Sequence, residues 1–207
     1  MLTVWGRTNS INVQKVMWAV AELGLEHERI DAGMAFGGLD TAEYGAMNPN
    51  RKIPTIRDAD GTVAWESNAC VRYLAGRYGA GSLWPDDPGA RAQADAWMDW
   101  QLGTLLPDLS PIFWNLVRTP ESHRDMAAVQ AAAVRIVGSW RILDDRLGQR
   151  RFVAGDSFTM GDIPLGCSYW RYVNLDVERP SLPNCEIWFR ALKERDGYRR
   201  HVMLPVT

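Results

Sequence analysis

Residues 53–79, IPTIRDADGTVAWESNACVRYLAGRYG, decide the fold of the first part of the chain. The runs IPTIRD and GTVAWE have the composition of strands, and the Ala59-Asp60-Gly61 turn between them predicts a hairpin. The connection is too short for a crossover, so the two strands must pair antiparallel. A helix is predicted to begin at Ser67 and to end near Gly79.

The residues before this hairpin alternate between strand and helix. Leu2 to Trp5 predict a short buried strand, and EHERID at 26–31 predicts a weaker one. Between them, apolar residues recur at helical spacing up to a breaker at Gly24: Val13, Val16, Met17, Val20 and Leu23. Residues 36–50 predict a loop with one short helix. The order β-α-β-α-β-β-α therefore predicts a small α/β unit with a mixed sheet.

The Gly- and Pro-rich stretch from Gly79 to Gly89 indicates a boundary, after which long helices dominate. Pro107 and Pro111 predict kinks in a helical region that runs from Pro88 to about Val117. A second helix carries one apolar stripe: Val129, Ala133, Ile136, Trp140, Leu143 and Leu147. The predicted fold class is α/β plus all-α, with an α/β domain at 1–80, a linker at 81–87 and a helical domain at 88–207.

Composition excludes several classes of function. A net charge of −2, with 46% hydrophobic and 23% charged residues, is ordinary for a globular protein and argues against a nucleic-acid binder. The three Cys and three His show no metal-ligand spacing, so we expect no metal, no disulfide framework and a reducing compartment. No signal-peptide pattern and no apolar run of about 20 residues occurs, so we expect no membrane association.

Thr159 and Asp162 have the spacing of a capping box, in which a hydroxyl and a carboxylate each satisfy a backbone amide at a helix start. Phe158 and Ile163 are placed as the accompanying hydrophobic staple. We interpret this segment as a folding signal and not as a catalytic element.

Together, Ile53-Pro54, Glu66-Ser67 and the T-x-x-D motif at Thr159–Asp162 make the whole chain resemble the cytosolic glutathione transferases. The resemblance implies a thioredoxin-like amino-terminal domain with a mixed sheet, a helical-bundle carboxy-terminal domain and a homodimer in the cytoplasm. It also implies a detoxifying transferase that uses glutathione as co-substrate and holds no permanently bound cofactor.

The resemblance assigns residues to the two ends of the tripeptide. Ser67 at a helix start takes the γ-glutamyl carboxylate, and Glu66 pairs with the ammonium. Asp99 reaches the same ammonium across the dimer, as an acidic residue does in several classes. Lys52 takes the glycyl carboxylate, for which Arg51 is a second candidate. A glutathione carboxylate is thus expected at each end of the binding groove.

The middle of the tripeptide is assigned to Ile53 and Pro54. The resemblance implies a cis bond before Pro54, which exposes the Ile53 amide and carbonyl to the cysteinyl peptide like a short strand. Residues alone would instead favour a trans proline that begins a strand.

The sulfur is assigned to the loop GRTNSIN at 6–12. Ser10 matches the serine of the delta and theta classes, while Ser10-Ile11-Asn12 resembles the Thr-x-Asn pair of nu-like bacterial members. The loop contains no Tyr and no Cys, which disfavours the classes that depend on those residues. Three alternatives stay open: the Ser10 hydroxyl, the side chain of Asn12 or Asn9, and a backbone amide, with Ser10 only capping the helix in the last two.

A hydrophobic electrophile or a disulfide is expected beside this loop. The candidate walls are Phe113, Trp114 and Arg118, with Tyr169 and Trp170 as further candidates, all in the helical domain. The aromatic residues among them serve equally well as core. Two other functions fit the same sequence: a glutathione-dependent disulfide reductase, and a non-catalytic binding or scaffold protein with this fold.

Overall fold

The computed structural model describes residues 1–207 and begins with a four-stranded sheet. Its strands are β1 Leu2–Trp5, β2 His27–Ile30, β3 Thr55–Arg57 and β4 Val63–Trp65, in the order β2-β1-β3-β4. Strand β1 pairs parallel with β2 and antiparallel with β3, and β3 pairs antiparallel with β4. The mixed sheet and the hairpin predicted from the sequence are confirmed.

Three helices accompany the sheet: α1 Ile11–Glu22, α2 Ala42–Met47 and α3 Ser67–Tyr78. Helix α1 ends where the breaker was predicted, because Gly24 adopts a φ of 63° and the amide of Leu25 turns back to the carbonyl of Val20. A 3-10 turn at Met34–Phe36 lies in the loop before α2. The predicted element order β-α-β-α-β-β-α is therefore the observed one.

The rest of the chain is helical: α4 Pro88–Trp100, α5 Leu106–Phe113, α6 Met126–Leu147, α7 Asp162–Val173, α8 Pro183–Lys193 and α9 Asp196–His201. Helices α4 and α5 are joined by a π-helical turn at Gln101–Leu105, and a second π-helical turn extends α5 to Arg118. The first of these wide turns stands directly before Pro107, which cannot donate the regular helix hydrogen bond. The region from Pro88 thus stays helical through both prolines.

One hydrophobic core joins the sheet to the helical part. Helix α1 packs on α3 on one side and on α7 and α9 on the other. Trp18 of α1 is fully buried, with its ring centroid 4.6 Å from that of Tyr198 and 5.2 Å from that of Phe158. All three cysteines are buried and unpaired. The loop in front of α1 is thereby fixed against the helical part of the chain.

The predicted stripe on α6 faces the core, with Val129, Ile136, Trp140, Leu143 and Leu147 buried and Ala133 partly buried. By length and composition α6 is the one helix apolar enough to cross a membrane, a criterion that the core helix of a globular protein also meets. In this fold α6 packs against α5 and α8.

Candidate active site

A cavity of about 150 Å³ lies between the loop after β1 and the second half of the α4–α5 helical region. The loop contributes Arg7, Asn9, Ser10 and Asn12, and the opposite wall comes from α5, the π-helical turn that follows it and α7. We call this space the loop cavity. The first residues of α1, Ile11 and Asn12, also line the loop cavity.

The Ser10 hydroxyl is available to a ligand. Ser10 occupies the N-cap position of α1, yet its side chain accepts no capping hydrogen bond and makes no other hydrogen bond within the chain. Ser10 lines the loop cavity, and no acidic residue lies in the first turn of α1. A free hydroxyl and the positive end of a helix dipole therefore face the same space.

A buried hydrogen-bond chain connects this loop to the start of α3. The Ser67 hydroxyl donates to Asn12 Oδ1 at 3.2 Å, and Lys15 Nζ donates to Ser67 Oγ at 3.4 Å. Lys15 also donates to Asn68 Oδ1 at 3.3 Å and to Gln101 Oε1 at 3.0 Å. Because Lys15 is fully buried, its pKa is lowered to about 8. Lys15 thus fixes Ser67 relative to the loop cavity.

The Ile53–Pro54 bond is cis, as the resemblance predicts. The Ile53 amide and carbonyl make no hydrogen bond within the chain, although the flanking segment is firmly held. The carbonyl of Lys52 accepts from the Tyr44 hydroxyl at 2.7 Å and from Asn48 Nδ2 at 2.8 Å. The exposed Lys52 ammonium has no partner. This segment can therefore offer both backbone groups and one cation to a ligand.

Glu66 precedes α3 in a left-handed conformation, with a φ of 65°, which is uncommon for a residue with a side chain. Its carboxylate is exposed and unpaired, whereas Ser67, the first residue of α3, is buried. Strain of this kind is found where backbone geometry serves a site. The start of α3 therefore presents a carboxylate beside the amides that an anion can approach.

Comparisons with known proteins identify the family of this chain. A family model described as glutathione S-transferase, N-terminal domain, matches residues 9–77, and one described as glutathione S-transferase, C-terminal domain, matches residues 126–199. Glutathione S-transferase GstB of Escherichia coli strain K12 is 41% identical over 208 residues, covering 100% of both chains. The chain belongs to the glutathione S-transferase family.

Solved structures of transferases share the whole fold. The theta class glutathione S-transferase from Xanthomonas axonopodis pv. citri, solved with glutathione bound, is 43% identical with a TM-score of 0.95 and covers 100% of this chain and 99% of that one. Glutathione transferase BmGSTD1 of Bombyx mori is 29% identical with a TM-score of 0.86, covering 98% and 93% of the two chains. The predicted pair of domains, thioredoxin-like and helical, is confirmed.

Within this transferase fold, four further candidate residues named above do not line the loop cavity: Tyr169, Asp99, Arg51 and Trp170. Tyr169 is buried in the core beside Trp140 and Trp188. The prediction that Tyr169 forms a wall of the substrate site is therefore wrong. Asp99 is exposed and forms an ion pair with Arg72, outside the cavity. Arg51, the second candidate for the glycyl carboxylate, instead donates to two loop carbonyls. Trp170 Nε1 donates to the carbonyl of Leu204, away from the cavity.

The other predicted wall residues, Phe113, Trp114 and Arg118, do line the cavity. Sequence reasoning missed two further arginines there, Arg7 and Arg171. Arg171 follows the apolar run LGCSYW on α7, and a charged residue in such a run is a signal that could have found it. No group of three or more His, Cys, Asp or Glu that could hold a metal ion is found.

Proposed function

We propose that this transferase binds glutathione between residues 52–54 and the start of α3, and ionises its thiol in the loop cavity. The free Ser10 hydroxyl, facing the cavity at the start of α1, carries the proposal. The unpaired backbone groups of Ile53 support it, since they match what a cysteinyl peptide needs. In the same proposal, the backbone amide of Ser67, whose hydroxyl donates to Asn12, and the Glu66 carboxylate take the γ-glutamyl end, and Lys52 takes the glycyl carboxylate.

The proposed chemistry begins with the proton of the thiol. A free thiol has a pKa of about 8.5, so only a few per cent is ionised at neutral pH. Lowering that pKa by about two units requires about 2.7 kcal/mol of preferential stabilisation of the thiolate. The Ser10 hydroxyl donates to the sulfur, Asn12 Nδ2 is a second donor, and the amides of the first turn of α1 favour the negative charge. The thiolate then attacks the electrophile.

We test the proposal by measuring the ultraviolet absorbance of bound glutathione thiolate near pH 6.5. Ser10→Ala lowers the thiolate fraction about tenfold or more, and Asn12→Ala lowers it less. Ser157→Ala is the matched control, since Ser157 is exposed and makes no side-chain hydrogen bond. An unchanged thiolate fraction in both Ser10→Ala and Asn12→Ala would refute the assignment.

The broader expectations belong to the same proposal. We propose a cytoplasmic homodimer with domains at 1–80 and 88–207, a linker at 81–87, and Asp99 beside the partner's glutathione. Its role is to conjugate, and so detoxify, a small electrophile. Comparing 1-chloro-2,4-dinitrobenzene with 2-hydroxyethyl disulfide separates transfer from disulfide reduction, and sedimentation measures the dimer. If calorimetry detects no heat of binding at millimolar glutathione, the non-catalytic scaffold protein becomes the favoured alternative.

A further inference from the structure

Three guanidinium groups converge on the loop cavity from three separate segments. Arg7 comes from the loop after β1, Arg118 from the π-helical turn after α5, and Arg171 from the last turn of α7. The Arg171 guanidinium lies 3.9 Å from the centroid of the Phe113 ring, and that of Arg118 lies 5.6 Å from the same centroid. The fold thus holds three like charges close together, although they repel one another.

These positive charges have no carboxylate beside them in the cavity. No Asp or Glu lines the cavity, and none of the three arginines takes part in a salt bridge. The Nε atoms of Arg7 and Arg118 are buried without a hydrogen-bond partner. Arg171 is only 8% exposed, and the one hydrogen bond of its guanidinium is a 3.5 Å contact from Nη2 to the carbonyl of Asn9. Arg118 Nη1 donates only to the sulfur of Met34, at 3.6 Å.

The proximity of the three groups also affects their protonation. Burial lowers the pKa of Arg171 to about 10, and the charges of Arg118 and Arg7 act in the same direction. Burial and Arg118 likewise lower the pKa of Arg7. Buried polar groups are normally satisfied, so a cluster that remains short of acceptors is arranged for an anion from outside the chain.

We infer that the second substrate of this transferase carries a carboxylate, which Arg7, Arg118 and Arg171 bind while its electrophilic carbon faces Ser10 and Asn12. The inference rests on the proposed function, because the sulfur must lie at the loop cavity. The carboxylates of glutathione have other partners in that proposal, at Lys52 and Ser67. A cavity of about 150 Å³ is smaller than the sites of about 300–1,000 Å³ typical of drug-sized ligands, so the acid is small.

For a small halo-acid the reaction is a displacement. The glutathione thiol first releases its proton to solvent water, and the thiolate then attacks the carbon that bears the halide. The sulfur–carbon bond forms as the carbon–halogen bond breaks, and the halide leaves with the bonding electrons. The carboxylate stays unchanged and remains held by the arginines. No oxidant, reductant or metal enters this balance.

The test compares iodoacetate with iodoacetamide, which differ in charge and little in size. After subtraction of the uncatalysed rates, kcat/KM for the acid exceeds that for the amide about tenfold or more, as expected for charge-assisted binding. Arg118→Met lowers this ratio about tenfold, and added salt lowers it further. Arg141→Met is the matched control and leaves the ratio unchanged, because Arg141 lies exposed on α6, outside the cavity.

Equilibrium binding provides a second readout that does not depend on catalysis. By calorimetry, S-(carboxymethyl)glutathione binds about tenfold more tightly than S-(carbamoylmethyl)glutathione, and Arg118→Met removes the difference. Equal affinities for the two conjugates, or turnover of both electrophiles without preference for the acid, would overturn the anion site while leaving the transferase intact. Failure to bind glutathione or either conjugate would overturn both proposals.

Discussion

Lys15 is a residue whose environment works against its charge. It is fully buried within α1, and only oxygen atoms of Ser67, Asn68 and Gln101 compensate its ammonium group. Burial holds its folded-state pKa near 8, well below the ordinary value of 10.5. The buried ammonium therefore lowers the unfolding free energy at neutral pH. Its hydrogen bond to Ser67 also holds the Ser67 hydroxyl toward Asn12.

This imbalance predicts how stability depends on pH. Between about pH 8 and pH 10.5 the unfolded chain binds the Lys15 proton more tightly than the folded protein, so raising the pH through this range favours folding. We expect the unfolding free energy of the natural protein, relative to Lys15→Met, to increase by about 1–2 kcal/mol from about pH 7.5 to about pH 9.5. Urea denaturation at both values measures this change.

Lys193→Met is the control for that experiment. Lys193 lies at the end of α8 over the Phe189 ring and makes no buried hydrogen bond. Its substitution is expected to produce no comparable pH dependence. A difference between the natural protein and Lys15→Met that stays constant with pH would show that the buried lysine keeps an ordinary pKa.

The sequence predicted Ser10 and Asn12 as candidates but gave no indication of Lys15. Patterning arguments assume a helix with one face in water. Helix α1 has no such face in its middle, because it is covered by α3 on one side and by α7 and α9 on the other. Gln14 and Lys15 are therefore buried with their apolar neighbours. Arg118 was predicted as a wall residue, but its convergence with Arg7 and Arg171 could not be predicted, since it depends on tertiary packing.

At the level of an element, the capping box predicted at the start of α7 is confirmed only for Asp162, because α7 begins at Asp162 with Gly161 and not Thr159 at its N-cap. Asp162 Oδ2 accepts from the amide of Thr159 at 3.0 Å and from the Thr159 hydroxyl at 3.4 Å. The Thr159 hydroxyl accepts from the amide of Gly161 and not from that of Asp162. Asp162 Oδ1 accepts from the amide of Val153 at 3.1 Å and from Trp188 Nε1 at 3.0 Å. Local spacing predicted the cap, but the partners from distant segments could not be predicted.

Asp162→Asn tests this role. At about pH 7.5 the carboxylate is ionised, because burial raises its pKa only to about 6. The NH2 group of an amide of the same size faces an N–H donor in either orientation, because Oδ1 now accepts from Val153 and Trp188 and Oδ2 from Thr159. We therefore expect a loss of about 1–3 kcal/mol in unfolding free energy. Asp156→Asn, at an exposed position in the preceding loop, is the control and changes stability by less than about 0.5 kcal/mol. Equal stability of the two variants would contradict the role of Asp162.

At the scale of the whole molecule, the position of the loop cavity depends on α1, which is packed between α3 and the helical part. Trp18 Nε1 donates to Glu22 Oε1 at 2.8 Å, and Arg195 of the helical part donates to both oxygens of Glu22, at 2.9 and 2.6 Å. The sequence predicted both parts correctly. Their mutual packing could not be predicted, because it depends on close approaches between α1 and α7 that leave no periodic signal.

Gly166 of α7 marks the closest of these approaches and supplies the test. A Cβ atom at Gly166 would lie 2.8 Å from Trp18 Cζ3 and 2.8 Å from Leu192 Cδ1. We expect Gly166→Ala to lose about 1–3 kcal/mol of unfolding free energy, because a close-packed interior must shift to admit the methyl group. Gly138→Ala on α6 is the matched control: its Cβ meets nothing within 4 Å, so it gains about 0.5–1 kcal/mol in helix propensity. Urea denaturation, followed by tryptophan fluorescence and by circular dichroism, measures both variants, and equal stability would show that α1 and α7 are not tightly packed.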